Sequence, residues 1–121
     1  MERLTPQEET IMRCIWKLGT CQIRDILDAL PEAQPYTTIA SVANNLKRKG
    51  YLQVSRRKNS YEYVPLIPES DYKQEFVNSV VGHFFHNSYK EMVSFFAREQ
   101  KISAAELQDI LRLINDGDDE S

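Results

Sequence analysis

The hydrophobic period of the sequence changes at Gly50, and this change limits the folds that the chain can adopt. Before Gly50, apolar residues recur at spacings of three and four, which indicates helices. After it, Leu52 and Val54 alternate with polar residues, and Tyr61 and Tyr63 do so beyond the segment RRKNS. This alternation indicates two short strands. The sequence therefore predicts a mainly α fold with one small β-hairpin.

The first helix has a well-marked start. Thr5 is its predicted N-cap, Pro6 occupies the first helical position, and Glu8 completes a capping box. The first helix is therefore predicted to run from Leu4 to Leu18.

Glycine and proline bound two further helices. Gly19 ends the first helix, Thr20 is the predicted N-cap of a shorter second helix, and Pro31 prevents that helix from continuing. A third helix is predicted over residues 36–50, where Gly50 closes it.

The third helix has one apolar and one polar face, and it contains no carboxylate. Its apolar face consists of Ile39, Val42, Ala43 and Leu46, and its polar face consists of Thr37, Ser41, Asn44, Asn45 and Arg48. A solvated helix face usually mixes acids with bases, whereas a face that approaches phosphates and base edges excludes acids. The pattern favours nucleic-acid binding over a surface helix whose acids are absent by chance.

The predicted hairpin has a basic tip. Arg56, Arg57 and Lys58 lie between its strands, where a solvated turn is the simpler interpretation. Beside an acid-free helix, however, the order of three helices and a basic hairpin is that of a winged helix-turn-helix domain. In such domains the third helix enters the major groove and the hairpin reaches phosphates or the minor groove.

The charge is divided unevenly along the chain. Residues 1–68 hold ten basic and seven acidic residues, a net charge of +3, whereas residues 69–121 hold five basic and eleven acidic residues, a net charge of −6. We therefore predict a DNA-binding domain over residues 1–68 and a second region over residues 69–121. The chain has no apolar run of about 20 residues, and it contains only two cysteines. A cytoplasmic location is therefore expected.

The second region is predicted to form a homodimer. Apolar and aromatic residues from Tyr72 to Phe96 recur at helical spacing over about seven turns, which predicts one long helix. A second copy of the chain is the expected partner for this stripe. Ser103 and Glu106 predict a capping box for a last helix, after which residues 115–121 form an acidic, disordered tail. The predicted dimerisation residues are Phe76, Val80, Phe84, Phe85, Tyr89, Met92, Phe96, Ile110 and Ile114.

Other reactive residues do not predict catalysis, a metal site or a cofactor. His83 and His86 lack further ligands nearby and are interpreted as polar positions on the dimer-forming helix. Cys21, at the predicted start of the second helix, is a candidate redox sensor because a helix N-terminus lowers the pKa of a thiol.

The segments LTPQEETIMRCIWKLG and YTTIASVANNLKRKGYLQVSRRKNSYEYVPLI, followed by a helical tail, resemble the bacterial BlaI/MecI penicillinase-repressor family over nearly the whole chain. The resemblance implies a dimeric winged-helix repressor that binds a palindromic operator in double-stranded DNA. It also implies relief of repression by a membrane-bound sensor metalloprotease that cleaves within the dimerisation region.

The family's functional positions match this chain unevenly. Thr37 and Thr38 match its DNA-facing threonines, and Arg48 and Lys49 match its basic helix end, but Ala40 and Asn45 stand where many members carry basic residues. The nearest counterpart of the family's Asn-Phe cleavage site is Ser94-Phe95, and the cysteine-rich motif of copper-responsive members is missing.

A dimeric transcriptional repressor is therefore the main prediction. Two alternatives remain open at the level of sequence. The first is a winged-helix module that binds an acidic protein, and the second is a regulator that senses a ligand or an oxidant.

Overall fold

The computed structural model describes residues 1–119, with side chains to residue 117, and it divides into two compact units, residues 1–74 and residues 75 onward. The first unit contains α1 (Pro6–Leu18), α2 (Ile23–Ala29), α3 (Tyr36–Arg48), β1 (Leu52–Arg57), β2 (Ser60–Pro65) and the start of α4 (Glu69–Phe84). The second unit contains the rest of α4, α5 (Tyr89–Arg98) and α6 (Ala104–Asp119). The predicted fold, mainly α with a small antiparallel hairpin, is confirmed.

The capping box predicted for α1 is present. The backbone N–H of Thr5 donates to Glu8 Oε1 at 2.8 Å, and the backbone N–H of Glu8 donates to Thr5 Oγ1 at 3.2 Å. These two bonds satisfy N–H groups that the first helical turn leaves without partners.

The prediction that Thr20 caps α2 is wrong, because the chain is extended at the next residue. Cys21 pairs with Tyr63 of β2: its N–H donates to the Tyr63 carbonyl at 3.0 Å, and the Tyr63 N–H donates to the Cys21 carbonyl at 2.7 Å. The helix therefore begins two residues later, and its N-cap is Gln22. This short pairing adds a third chain segment beside the hairpin.

The apolar face of α3 packs into the core of the first unit, as its spacing predicts. Ile39, Val42, Ala43 and Leu46 are all buried. They join the buried apolar residues of α1, α2, β1 and the segments just before α1 and β1, namely Leu4, Ile11, Met12, Ile15, Ile23, Ile26, Tyr51 and Leu52.

Gly50 ends α3 in the way that its position predicts. Its φ of 87° is a left-handed conformation that glycine adopts without steric cost. The N–H of Gly50 donates to the Lys47 carbonyl at 3.0 Å, and the N–H of Tyr51 donates to the Leu46 carbonyl at 2.9 Å. This is a Schellman motif, and Leu46 and Tyr51 are both buried in the same apolar core.

The first unit extends beyond the boundary predicted at residue 68, because the first turn of α4 packs on α1. The Tyr72 ring lies 5.6 Å from that of Trp16 and 5.9 Å from that of Tyr51. Trp16 Nε1 donates to the Ile67 carbonyl at 2.8 Å, and the Tyr72 hydroxyl donates to the Glu9 carboxylate. These contacts place the end of the first unit at Gln74.

The prediction of one long helix from Tyr72 to Phe96 is wrong. His86 and Asn87 have positive φ angles of 53° and 60°, which ends the helical path after α4. Ser88 then caps α5, with its Oγ accepting from the Glu91 N–H at 3.0 Å. Asparagine tolerates the left-handed conformation and serine favours the N-cap, so the sequence HNS carries a break signal within the apolar stripe.

The capping box of α6 is confirmed, but the predicted tail is not. The N–H of Ser103 donates to Glu106 Oε1 at 2.9 Å, and the N–H of Glu106 donates to Ser103 Oγ at 3.1 Å. α6 continues from Asn115 to Asp119, where disorder was predicted, and the rest of that predicted tail, residues 120 and 121, lies outside the described residues. Within the described part of the chain, no helix is long and apolar enough to cross a membrane.

Candidate nucleic-acid interface

The outer face of α3 presents short polar groups and one arginine. Thr37, Ser41, Asn44 and Arg48 are exposed, while Thr38 and Asn45 are half-buried at the edges of this face. No residue of the helix is acidic. Because the opposite face is buried, these side chains project from the first unit and are free to donate and accept hydrogen bonds along a groove of duplex DNA.

Lys49 does not join this face, which corrects its assignment as a DNA-binding residue. Its Nζ lies 2.7 Å from Glu8 Oε1 and donates to the Arg3 carbonyl at 3.1 Å. The side chains of Lys49 and Glu8 are only 15% and 6% exposed. The ammonium group thus neutralises a buried carboxylate on α1 and is not presented to solvent.

The electrostatics of this pair favour the charged carboxylate. Burial disfavours ionisation of Glu8, but hydrogen bonds from Lys49 and Thr5 and the charge of Lys49 outweigh it, so the pKa of Glu8 is lowered. The sequence offered no local sign of this pairing, since the two residues are separated by 41 positions.

The turn that joins the two strands of the basic hairpin is shorter than predicted. Arg56 and Arg57 belong to β1, and the turn itself consists of Lys58 and Asn59. Arg56 lies over the ring of Tyr61, with its guanidinium carbon 5.8 Å from the ring centroid. Arg57 Nη1 lies 4.0 Å from Glu62 Oε1, and its side chain is 78% exposed. Both guanidinium groups therefore lie on the surface of the hairpin.

Two exposed tyrosines beside this face were not assigned to it from sequence. Tyr36, the first residue of α3, is 59% exposed, and Tyr61, in β2, is 53% exposed. The alternation of the hairpin grouped Tyr61 with the apolar residues. Its place opposite Arg56 in the register, next to the basic turn, is the signal that distinguishes it.

The surroundings of Cys21 do not favour a reactive thiol. It is 4% exposed and precedes α2. Burial, with smaller contributions from Asp25 and Cys14, raises the pKa of its thiol to about 11. The lowered pKa expected for a redox sensor is therefore wrong.

We expect Cys21 to react slowly with N-ethylmaleimide in the folded protein at pH 7. A rise in thiol pKa from 9.0 to about 11 reduces the reactive thiolate by about 100-fold, and burial slows access further. Peptide mass spectrometry after timed labelling measures the rate, with denatured protein as the control. Equal rates in folded and denatured protein would contradict this account.

The predicted dimerisation residues fall into two classes in the second unit. Val80, Phe85, Met92 and Phe96 are half-buried. Phe85, Phe95 and Phe96 form a ring cluster with centroid distances of 5.6–6.5 Å. The exposed large apolar residues of this unit are Phe76, Phe84, Tyr89, Val93, Phe95, Ile110, Leu111, Leu113 and Ile114.

The remaining candidates of the second unit lie around α5. Ser94 and Phe95, the counterpart of the family cleavage site, lie within this helix. His83 Nδ1 is 2.8 Å from the Ser79 carbonyl, and His86 Nδ1 is 3.4 Å from the Glu91 carboxylate. Among the described residues, neither histidine belongs to a group of three or more side chains that could hold a metal ion.

Three helices, an exposed polar face on the third and a basic hairpin define a winged helix-turn-helix protein. A family model described as the penicillinase repressor matches residues 4–116. The chain belongs to this family, whose members are transcriptional repressors and not enzymes. The resemblance noted from the sequence is thereby confirmed.

Individual relatives are distant but cover nearly the full length. The penicillinase repressor of Bacillus licheniformis is 22% identical over 94% of this chain and 91% of its own length. The methicillin resistance regulatory protein MecI of Staphylococcus aureus is 18% identical over 93% of each chain. Among solved structures, BpsR of Bordetella bronchiseptica is similar with a TM-score of 0.48 and 19% identity over 98% of this chain and 77% of its own.

Proposed function

We propose that this chain is a homodimeric repressor that binds a palindromic DNA operator through α3 and the hairpin. The observation that carries the proposal is the acid-free, exposed face of α3 beside the surface guanidinium groups of Arg56 and Arg57. Such a face is suited to base edges and phosphates, whereas a module that binds an acidic protein has no need of short hydrogen-bonding groups in a row along one helix.

In the proposed complex, α3 lies in the major groove. Thr37, Ser41 and Asn44 face the base edges, and Thr38 and Asn45 contact the groove walls. Arg48 neutralises a phosphate at the end of α3, and Arg56, Arg57 and Lys58 reach the backbone or the minor groove. Lys49 is omitted from this set because it is paired with Glu8.

The second unit supports the dimer. Val81 is the one buried apolar residue among its described side chains. In α6, four large apolar side chains are exposed: Ile110, Leu111, Leu113 and Ile114. In water, an exposed apolar face of this extent marks a surface that is buried against a partner. A second copy of the chain provides such a partner by two-fold symmetry and also brings two copies of α3 to half-sites about one helical turn apart.

A membrane-bound sensor metalloprotease is part of the proposal as the route by which repression is relieved. Its counterpart bond, Ser94-Phe95, lies in α5, where the Phe95 ring packs on those of Phe85 and Phe96. Cleavage at this bond therefore requires that α5 unwinds locally, because a helical backbone must open before a protease can bind it.

Arg48→Ala and Arg57→Ala are expected to weaken operator binding and to reduce its salt dependence. Each substitution removes two phosphate contacts from a dimer, so the slope of log affinity against log salt should fall by about 1.8 and affinity by about tenfold at moderate salt. Fluorescence anisotropy between 50 and 200 mM salt (roughly the range where counterion release is measured) gives both quantities.

The matched control is Arg13→Ala, which removes an exposed guanidinium from α1, outside the proposed interface. Its slope should equal that of the wild type. If Arg48→Ala, Arg57→Ala and Arg13→Ala all bind DNA with the wild-type affinity and slope, the proposed interface is wrong.

A further inference from the structure

A groove of about 450 Å³ lies beside the N-terminal end of α3. Its walls are the start of α2, the first residue of α3, and the turn and second strand of the hairpin. The lining residues that matter for its chemistry are Gln22, Arg24, Tyr36, Ser60, Tyr61 and Tyr63, and none of the residues that line it is acidic.

The groove presents hydrogen-bond donors and one positive charge. Arg24 is exposed, as are Tyr36 and Tyr61. Burial, and then the neighbouring Tyr36 and Tyr61 hydroxyls, raise the pKa of Tyr63, so this hydroxyl keeps its proton. Phenol hydroxyls donate to anionic oxygens, and their rings pack against apolar surface. The groove is therefore suited to a chain that alternates anionic and apolar groups.

Both walls of the groove are held in place. Gln22 Nε2 donates to Ser60 Oγ at 3.3 Å, and this bond joins the start of α2 to the hairpin. The backbone pairing of Cys21 with Tyr63 joins the same two elements. The width of the groove is consequently set before any ligand binds, which reduces the entropy lost on binding.

We propose that this groove holds the phosphodiester backbone of one operator strand. The inference rests on the proposed function, and of the two hairpin placements given there it takes the one in which α3 enters a major groove and the hairpin reaches the adjacent minor groove. One DNA strand separates those two grooves, so it must pass between α3 and the hairpin. Tyr36 adjoins Thr37 of the α3 face, and Tyr61 is stacked under Arg56 of the hairpin, so the strand passes along their hydroxyls.

Each residue has a distinct task in this contact. Arg24 neutralises one phosphate, and the Tyr36 and Tyr61 hydroxyls donate to phosphate oxygens while their rings pack on deoxyribose. Backbone contacts of this kind fix the register of a reading helix on DNA. The groove therefore extends the footprint of each protomer and orients α3 from its N-terminal end, opposite to the end that Arg48 fixes.

The test uses the full-length protein and a 40-bp duplex (roughly four helical turns) selected by the wild type from a random-sequence pool. Arg24→Ala should reduce the salt slope of the dimer by about 1.8. Tyr36→Phe removes only a hydroxyl, so it should lower affinity by about tenfold or more and leave the slope unchanged. Arg13→Ala is the control for charge, and thermal unfolding of each variant verifies the fold.

Methylphosphonate substitution then locates the contact. Neutralising single phosphates one at a time should identify a position, on the strand between the major-groove and minor-groove contacts, that weakens wild-type binding. The same substitution should have no further effect on Arg24→Ala, because the two changes remove one interaction. Additive losses at every phosphate would overturn the assignment.

The outcomes separate this inference from the proposed function. If Arg48→Ala weakens binding while Arg24→Ala and Tyr36→Phe behave like Arg13→Ala, the groove assignment is wrong and the repressor interface stands. If both variants retain full DNA affinity and the groove instead binds benzoate, it is a small-molecule site and the assignment is likewise overturned. If the wild type selects no duplex, the proposed function fails first.

Discussion

Lys49→Met is expected to lower the free energy of unfolding by roughly 3 kcal/mol at pH 7, because it leaves the buried Glu8 carboxylate without its ion-pair partner. Methionine retains most of the apolar stem of lysine, so the loss reports the ammonium group and not the packing. The value lies at the low end for buried pairs, since the Thr5 N–H still donates to Glu8. Urea unfolding measures it.

Lys47→Ala is the matched control, since Lys47 is exposed on the same helix end. It should change stability by less than about 0.5 kcal/mol. Equal stabilities of the two variants would show that Lys49 does not neutralise Glu8, and Lys49 would then return to the set of candidate phosphate contacts.

Acid should reveal the same pair in the wild type. The pKa of Glu8 in the folded protein lies below its ordinary value of 4.5. The stabilisation is therefore fully present above pH 4.5 and is lost as the pH falls through the lower, folded value. Over the same pH range, Lys49→Met should lose less free energy of unfolding than the wild type, because the contact with Lys49 that lowers the pKa of Glu8 is gone.

The features that sequence predicted well are those with local causes. The capping boxes of α1 and α6 depend on residues three positions apart, and the end of α3 depends on one glycine with a positive φ. The buried face of α3 follows from helical spacing within the helix itself. Signals of this kind are complete within a short segment, so no knowledge of tertiary contacts is needed to interpret them.

The errors in the first unit arise from contacts between distant segments. Lys49 follows Arg48 in sequence, yet its partner Glu8 is in α1, so its direction could not be inferred from the charge run KRK. Thr20 is a residue type that favours the N-cap position. Pairing of Cys21 with Tyr63, however, makes the chain extended at Cys21, so the helix does not begin after Thr20. In both cases a tertiary contact overrides a local preference.

The error in the second unit has a different cause. Apolar residues continue at three- and four-residue intervals on both sides of His86 and Asn87, and this spacing alone predicts an uninterrupted helix. The break was visible in the local sequence as an asparagine followed by a capping serine, and Ser88 does cap α5. A termination signal of this kind ends a helix even where the apolar period continues beyond it.

Phe84→Asp is expected to produce a monomer that loses operator affinity by on the order of 100-fold or more, since half-site binding forfeits the effective concentration of the second half-site. Phe84, the last residue of α4, is 74% exposed, and an interface that covers it would have to desolvate the new carboxylate. Because most of the Phe84 side chain is exposed in the single chain, the variant should keep its fold and its helical circular dichroism spectrum. Its Tm should fall only by the stabilisation that dimerisation adds.

The control for added charge is Asn78→Asp, at an exposed polar position of the same helix. Sedimentation equilibrium should give twice the chain mass of 14.1 kDa for the wild type and Asn78→Asp, and the single chain mass for Phe84→Asp. A wild type that sediments as a monomer contradicts the dimer. A dimeric Phe84→Asp variant with full operator affinity instead shifts the interface away from α4, and the exposed leucine and isoleucine face of α6 then becomes the surface through which two copies of α3 are brought to one operator.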